Sequence, residues 1–160
     1  MKSLGIILTL LVLIVGCDRG SHPRMIGSPA PDFTIHDSDH TVSLHDYHGK
    51  KIILNFWAST CEPCIEEMPA LERLQERMGT EAVILGISTD VSDSDYHRFL
   101  HDYQVNFVTV RDSSKTSPDL YRTTGQPETF IIDAKGVIRR KFIGPAAWNS
   151  PEMVDYLKKL

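Results

Sequence analysis

Two cysteines separated by two residues, Cys61-Glu62-Pro63-Cys64, constrain this chain more than any other feature. They follow a short apolar run at 52–57 that reads as a buried strand. They precede a segment, 65–78, in which Ile65, Met68, Leu71, Leu74 and Met78 recur at three- and four-residue steps, the pattern of an amphipathic helix. Two thiols at such a junction can close a small disulfide and reopen it, while the helix N-terminus stabilises one of them as thiolate. The spacing therefore points to redox chemistry. A static staple explains it poorly, because a bridge closing so short a loop constrains the unfolded chain little. A structural zinc site needs two further ligands, and no second CxxC or His-x3-His tract lies where it obviously completes one.

Position assigns roles within the pair. Cys61, at the start of the helix, is the candidate nucleophile, and Cys64, about one turn inside, is the candidate resolving thiol. Glu62 places a carboxylate beside the first cysteine and opposes a second negative charge there, so it modulates the dithiol toward a less oxidising disulfide. Pro63 restricts the backbone and removes an N–H that a helix start leaves unpaired in any case.

The remaining cysteine bears on compartment. Lys2 is followed by an apolar run at 4–15, too short to span a bilayer but suited to the core of a signal peptide. It ends Ile14-Val15-Gly16-Cys17, which resembles the bacterial lipoprotein signal. The resemblance implies cleavage before Cys17, lipid attachment to its thiol, and a lipid-anchored domain on the outer, periplasm-facing side of a bacterial cell membrane. It also implies a division into a signal peptide at 1–16, a lipidated tether at 17–25 and one domain at 26–160. With Cys17 acylated, the odd count of three cysteines leaves one pair. Removing residues 1–16 takes away one lysine, leaving 16 basic against 21 acidic residues, a formal charge of −5. No basic block interrupts that balance, so nucleic acid is not an expected partner.

From residue 26 the chain alternates strand-like and helix-like segments: a short strand at 42–44 in an N-terminal hairpin, strands at 51–57, 82–89 and 105–110, and helices at 93–103 and 117–122. Asp93 and Pro118 mark the starts of these two helices. Pro69 inside the cysteine helix predicts a kink. Strands at 129–132 and 137–143 flank the turn Asp133-Ala134-Lys135-Gly136, and Ser150-Pro151 opens a C-terminal helix. This order predicts an α/β domain with a mixed sheet.

Order and motif together resemble the thioredoxin fold, and within it the membrane-tethered branch typified by TlpA and ResA. The resemblance is carried by 27–33 (Gly-Ser-Pro-Ala-Pro-Asp-Phe), by 43–50, by Asn55-Phe56-Trp57-Ala58, by the dithiol itself and by 125–133 (Gly-Gln-Pro-Glu-Thr-Phe-Ile-Ile-Asp). It implies a mixed central sheet flanked by helices with an N-terminal β-hairpin extension. Pro127 matches the cis-proline of the fold, which implies that Gln126 and Pro127 bind an extended substrate strand beside Cys61. Glu67 matches a functional acid of ResA-like proteins and joins Cys61 and Cys64 as a catalytic candidate. The branch implies a reductant of disulfides in exported proteins such as apocytochrome c, fed by a transmembrane dithiol donor, with no cofactor. Thr60 departs from the pattern, which usually has an aromatic residue before the first cysteine.

Two competing functions remain. The opening at 30–33 and the segment 42–50 also resemble peroxiredoxins, thiol peroxidases that need a threonine three residues before the reactive cysteine. Cys61 holds that place relative to Cys64, and Ala58 holds it relative to Cys61. A Cu(I)-binding module is the other, but Met68 and Met78 sit on the apolar helix face and read as core. His36, His40, His45, His48, His97 and His101 read as solvated surface groups, so no metal is assigned.

Overall fold

The run Lys51–Trp57 forms the central strand, β3, and six of its seven side chains are buried. In the computed structural model, which describes residues 25–160, β3 pairs in parallel with β4 (Ala82–Ser88) and antiparallel with β6 (Glu128–Ile132). The expected signal peptide, Cys17 and nearly all of the expected tether lie outside the described residues. β5 (Val108–Arg111) and β7 (Ile138–Ile143) complete a five-stranded sheet in the order β5-β4-β3-β6-β7. A separate antiparallel hairpin is made by β1 (Thr34–His36) and β2 (Thr41–Ser43), and leads into a 3-10 turn at Leu44–Tyr47. The α/β architecture, mixed sheet and N-terminal hairpin agree with the expectation.

Alternation along β3 sends its side chains to two different cores. Ile53 and Trp57 pack with Met68, Leu71, Leu74 and Met78 of α1 (Glu62–Met78), Tyr96 and Phe99 of α2 (Asp93–Asp102), and Met153, Val154 and Leu157 of α4 (Pro151–Lys159). Ile52, Leu54 and Phe56 face the opposite way, against Phe33, Ile35, Val42 and Leu44 of the hairpin region and against Tyr121, just after α3 (Thr116–Leu120). The hairpin therefore covers a sheet face.

Local differences from the expectation have identifiable causes. α1 runs through Pro69 without a break; the proline is exposed, where water can serve the carbonyl that loses its partner. α2 is capped by Ser92, whose Oγ accepts the Asp95 N–H at 3.2 Å, while the Asp93 carboxylate is drawn away to Arg111 at 2.9 Å. β5 begins three residues late because Gln104 takes a positive φ and the Val105 N–H closes back on Leu100 O. α3 begins ahead of Pro118, after Lys115 in the left-handed region. The final helix starts as expected, with Ser150 Oγ accepting the Met153 N–H at 3.2 Å.

Several histidines are structural rather than merely solvated. His40 contacts Thr109 O at 2.9 Å, and His97 lies 3.6 Å from Asp39 and 3.3 Å from Asp93, tying the β1–β2 turn to α2 and β5. Asp37, Asp39 and His40 come within 4.8 Å of one another, but Asp37 is already engaged by the backbone N–H groups of Asp39, His40 and Arg111.

Gly86 lies in the middle of β4, beneath the aromatic packing of the first core. A Cβ there would stand 2.9 Å from Phe107 Cε2, 3.0 Å from Trp57 Nε1 and 3.2 Å from Thr109 Oγ1. Close approach requires glycine here. Gly86→Ala should lower stability by about 1–3 kcal/mol, the usual cost of overpacking a filled core. The check is a urea titration, in which the midpoint falls while the slope is unchanged.

Candidate active site

The first turn of α1 places the two sulfurs in different environments. Cys61 is the N-cap, in extended conformation, and its Sγ accepts the Cys64 N–H at 3.3 Å. Cys61 is half-buried, whereas Cys64 has no exposed surface. The two form a disulfide. Glu62 and Pro63, the first two residues of the helix, both face solvent, so screening weakens the influence of Glu62 on the sulfurs.

The loop between β3 and α1 is held from beneath by a residue the sequence reading did not single out. Buried Asp90, just past β4, accepts the Ser59 N–H at 3.0 Å and the hydroxyls of Ser59 and Ser88, both at 2.8 Å. Its signal was available: Ser88-Thr89-Asp90 ends an apolar parallel strand, and the carboxyl ends of parallel strands are where such folds build sites.

The opposite wall comes from the start of β6. Phe56 pairs with Glu128, and the same antiparallel register brings Pro127 opposite Trp57, at the entrance to the dithiol loop. The Gln126–Pro127 peptide bond is cis. Pro127 O accepts the Gly144 N–H at 2.8 Å, and Gln126 Nε2 donates to Thr89 Oγ1. Glu128, fully buried, anchors this loop: Oε1 accepts the N–H and hydroxyl of Thr124 at 3.0 and 2.8 Å, and Oε2 meets Lys141 Nζ at 3.0 Å. A shallow cavity of about 340 Å³ between the walls is lined by Thr60, Thr89, Val91 and Gln126 among others.

Glu67 lies one helical turn beyond Cys64 and is buried, with 3 % of its surface exposed. Asn55 Nδ2 donates to Oε1 at 2.9 Å, and Trp148 Nε1 donates to Oε2 at 2.8 Å. Burial pushes its carboxyl above the ordinary value of 4.5; the donors from Trp148, Asn55 and the Ala146 backbone offset part of that rise. Neither Asn55 nor Trp148 was read as a site residue. Met68 and Met78 are buried in the core.

Comparison with known proteins agrees with this geometry. Residues 26–141 match the AhpC/TSA family model. The chain belongs to the AhpC/TSA family. It is 36% identical over 122 residues to the thioredoxin-like protein YneN of Bacillus subtilis (strain 168), covering 74% of this chain and 71% of that one. It is 32% identical over 120 residues to the thiol-disulfide oxidoreductase ResA of the same strain, covering 74% and 67%. Among solved structures it resembles a putative thiol:disulfide interchange protein DsbE from Chlorobium tepidum, with a TM-score of 0.74 and 27% identity over 84% of this chain and 93% of that one. Within the AhpC/TSA family the chain is ResA-like, a thioredoxin-like thiol:disulfide oxidoreductase with its dithiol at Cys61 and Cys64.

The raised Glu67 carboxyl carries a stability consequence. The folded protein holds that proton more tightly than the unfolded chain, so its contribution is complete below the ordinary carboxyl range. It is lost as the pH rises through the folded value. Thermal unfolding of wild type and Glu67→Gln across pH 3–8 should give a difference curve that moves in favour of the variant as pH rises. A constant offset from the altered hydrogen bonds is expected besides. A flat difference would mean that Glu67 titrates normally.

Proposed function

We propose that this protein is a membrane-anchored reductant of disulfides in exported proteins, with the oxidised CxxC of an apocytochrome c as a representative substrate. The observation that carries the reading is the asymmetry of the dithiol: a half-exposed Cys61 at a helix N-terminus, bonded to a fully buried Cys64 with a buried acid one turn further on.

In the reduced protein, Cys61 as thiolate attacks one sulfur of the substrate disulfide. A Cys61–substrate mixed disulfide forms and the other substrate sulfur leaves as thiolate. Gln126 and Pro127 present an edge on which an extended substrate segment can lie. Cys64 then passes its proton to the Glu67 carboxylate and attacks the Cys61 sulfur. The bond to substrate breaks, the second substrate thiol is released, and the Cys61–Cys64 disulfide remains. Two electrons have moved to the substrate, and a transmembrane dithiol donor returns them. Buried Glu67, one turn from Cys64, makes thiolates costly here, with a weaker, screened contribution from exposed Glu62, and this favours giving electrons over taking them.

The described chain enters the fold at the end of the sheet opposite the dithiol. Gly27 N–H donates to Ile138 O at 2.8 Å and Ile138 N–H to Ser28 O at 3.0 Å, at the start of β7. The dithiol lies beyond the far end of β3, about 20 Å away along the strand. A tether arriving at residue 25 therefore leaves the reactive sulfurs directed away from the bilayer. No helix among the described residues is long and apolar enough to cross a membrane; this reading assigns attachment to Cys17.

Two experiments check the reading. With an oxidised CxxC peptide, Cys64→Ser should trap a covalent peptide adduct detectable by mass, and Cys61→Ser should trap none. Equilibration with a redox buffer should place the couple near or below about −230 mV; a value near about −120 mV would make it an oxidant. Consumption of hydrogen peroxide at a comparable rate would instead favour a peroxidase. Separately, Cys17→Ala should move the protein from the membrane to the soluble fraction, and retention in the membrane would refute the lipid anchor.

A further inference from the structure

Trp148 is the contact in this site that the dithiol chemistry does not by itself require. It belongs to the segment between β7 and α4, far from the cysteines in sequence, yet its side chain is fully buried. The ring sits edge-on to Phe142, with centroids 5.2 Å apart, and its N–H is directed at Glu67 Oε2. The same segment supplies Gly144, whose N–H holds the carbonyl of Pro127. One short stretch thus grips both the buried acid and the substrate-facing loop.

We propose that Trp148 is a positioning residue for the exchange reaction: its indole N–H, with Asn55 on the opposite oxygen, holds the Glu67 carboxylate ready to take the proton of Cys64. The proposal rests on the role given to Glu67 above. A carboxylate has about four acceptor positions, so the donors from Trp148, Asn55 and the Ala146 backbone still leave room for the incoming proton. All three favour the ionised acid, which burial opposes. Asn55 Nδ2 also reaches Thr129 Oγ1 at 2.9 Å, which ties the amide to β6 and fixes its direction. The partners of Glu67 on β3 and in the 144–148 segment are all neutral donors; on α1 the titratable side chains nearest in sequence are Cys64, one turn before it, and the exposed Glu66. The buried charges elsewhere in the site, Asp90 and the Glu128–Lys141 pair, are bonded into their own loops. An indole N–H removed from this arrangement leaves burial less opposed, and Glu67 then gives up its proton only at higher pH.

The test is the pH dependence of single-turnover reduction of an oxidised CxxC peptide by the full chain in detergent. The variants are Trp148→Phe, which keeps an aromatic ring and removes the donor, Glu67→Gln, and the double variant. In wild type, the rate rises with pH along a limb that Glu67→Gln abolishes. Trp148→Phe should displace that limb to higher pH, slowing the reaction about tenfold on the limb, the effect of losing one hydrogen bond to a charged group. The rate on the plateau above it should be unchanged. In the Glu67→Gln background the same substitution should have no further effect on the rate. A limb that stays in place, or an equal slowing at every pH and in both backgrounds, would show Trp148 to be packing alone and overturn the proposal. If Glu67→Gln leaves the wild-type profile intact, it is the role of Glu67 that fails. Folding of the variant does not limit the test, because the wild-type indole N–H can be followed by NMR. Its resonance should titrate with the midpoint of the Glu67 carboxyl and be static in Glu67→Gln; a static wild-type resonance overturns the proposal.

Discussion

A strand buried on both faces can neither face water nor tolerate an unpaired backbone, and β3 imposes that condition on everything around it. Its ladder is completed by β4 on one side and β6 on the other, and its faces by helices and by the N-terminal hairpin. The site is a consequence. β3 ends where the chain must turn into α1, so the dithiol sits at a strand–helix junction with the end of β4 on one side and the start of β6 on the other. The one buried polar residue of the strand, Asn55, is carried by alternation onto the face that α1 covers, where it meets Glu67.

Polar groups accumulate at that end of the sheet, and each carries a desolvation cost that a partner offsets. Asp90 is engaged by hydrogen bonds from the loop it supports, and Glu128 by Thr124 and the largely buried Lys141. Glu67 is instead held on a helix by donors from β3 and the 144–148 segment, and burial outweighs them, leaving its carboxyl raised. A group whose two protonation states are brought closer together in free energy near working pH is suited to accept and return a proton, whereas Asp90 and Glu128 are arranged to hold loops.

Much of this was legible in the residues. The buried run at 51–57, the dithiol, the stripe on α1, the turn at 133–136 and the Ser150-Pro151 start are all local signals, and each element formed where its signal lies. Boundaries set by distant partners were not legible. Asp93 reads as a helix cap until Arg111 is known to take its carboxylate, and β5 reads as beginning at 105 until Gln104 takes a positive φ. The histidines read as solvated because nothing local shows that His40 and His97 join the hairpin to the sheet and α2.

Glu67 shows where the boundary between these two kinds of information falls. Cys64, Met68, Leu71, Leu74 and Met78 define the buried stripe of α1, and Glu67, three after Cys64 and four before Leu71, lies on it. The resemblance to ResA-like proteins, not the period, singled it out from Glu62, Glu66 and Glu72, yet an acid on an apolar stripe is a signal for burial that spacing can supply. What spacing cannot supply is the identity of the donors, because Trp148 stands 81 residues away and is fixed only by the closure of β7 and α4 over the sheet. The place of a buried charge can be read from a helix, but its proton affinity is set by residues that only the completed fold brings to it.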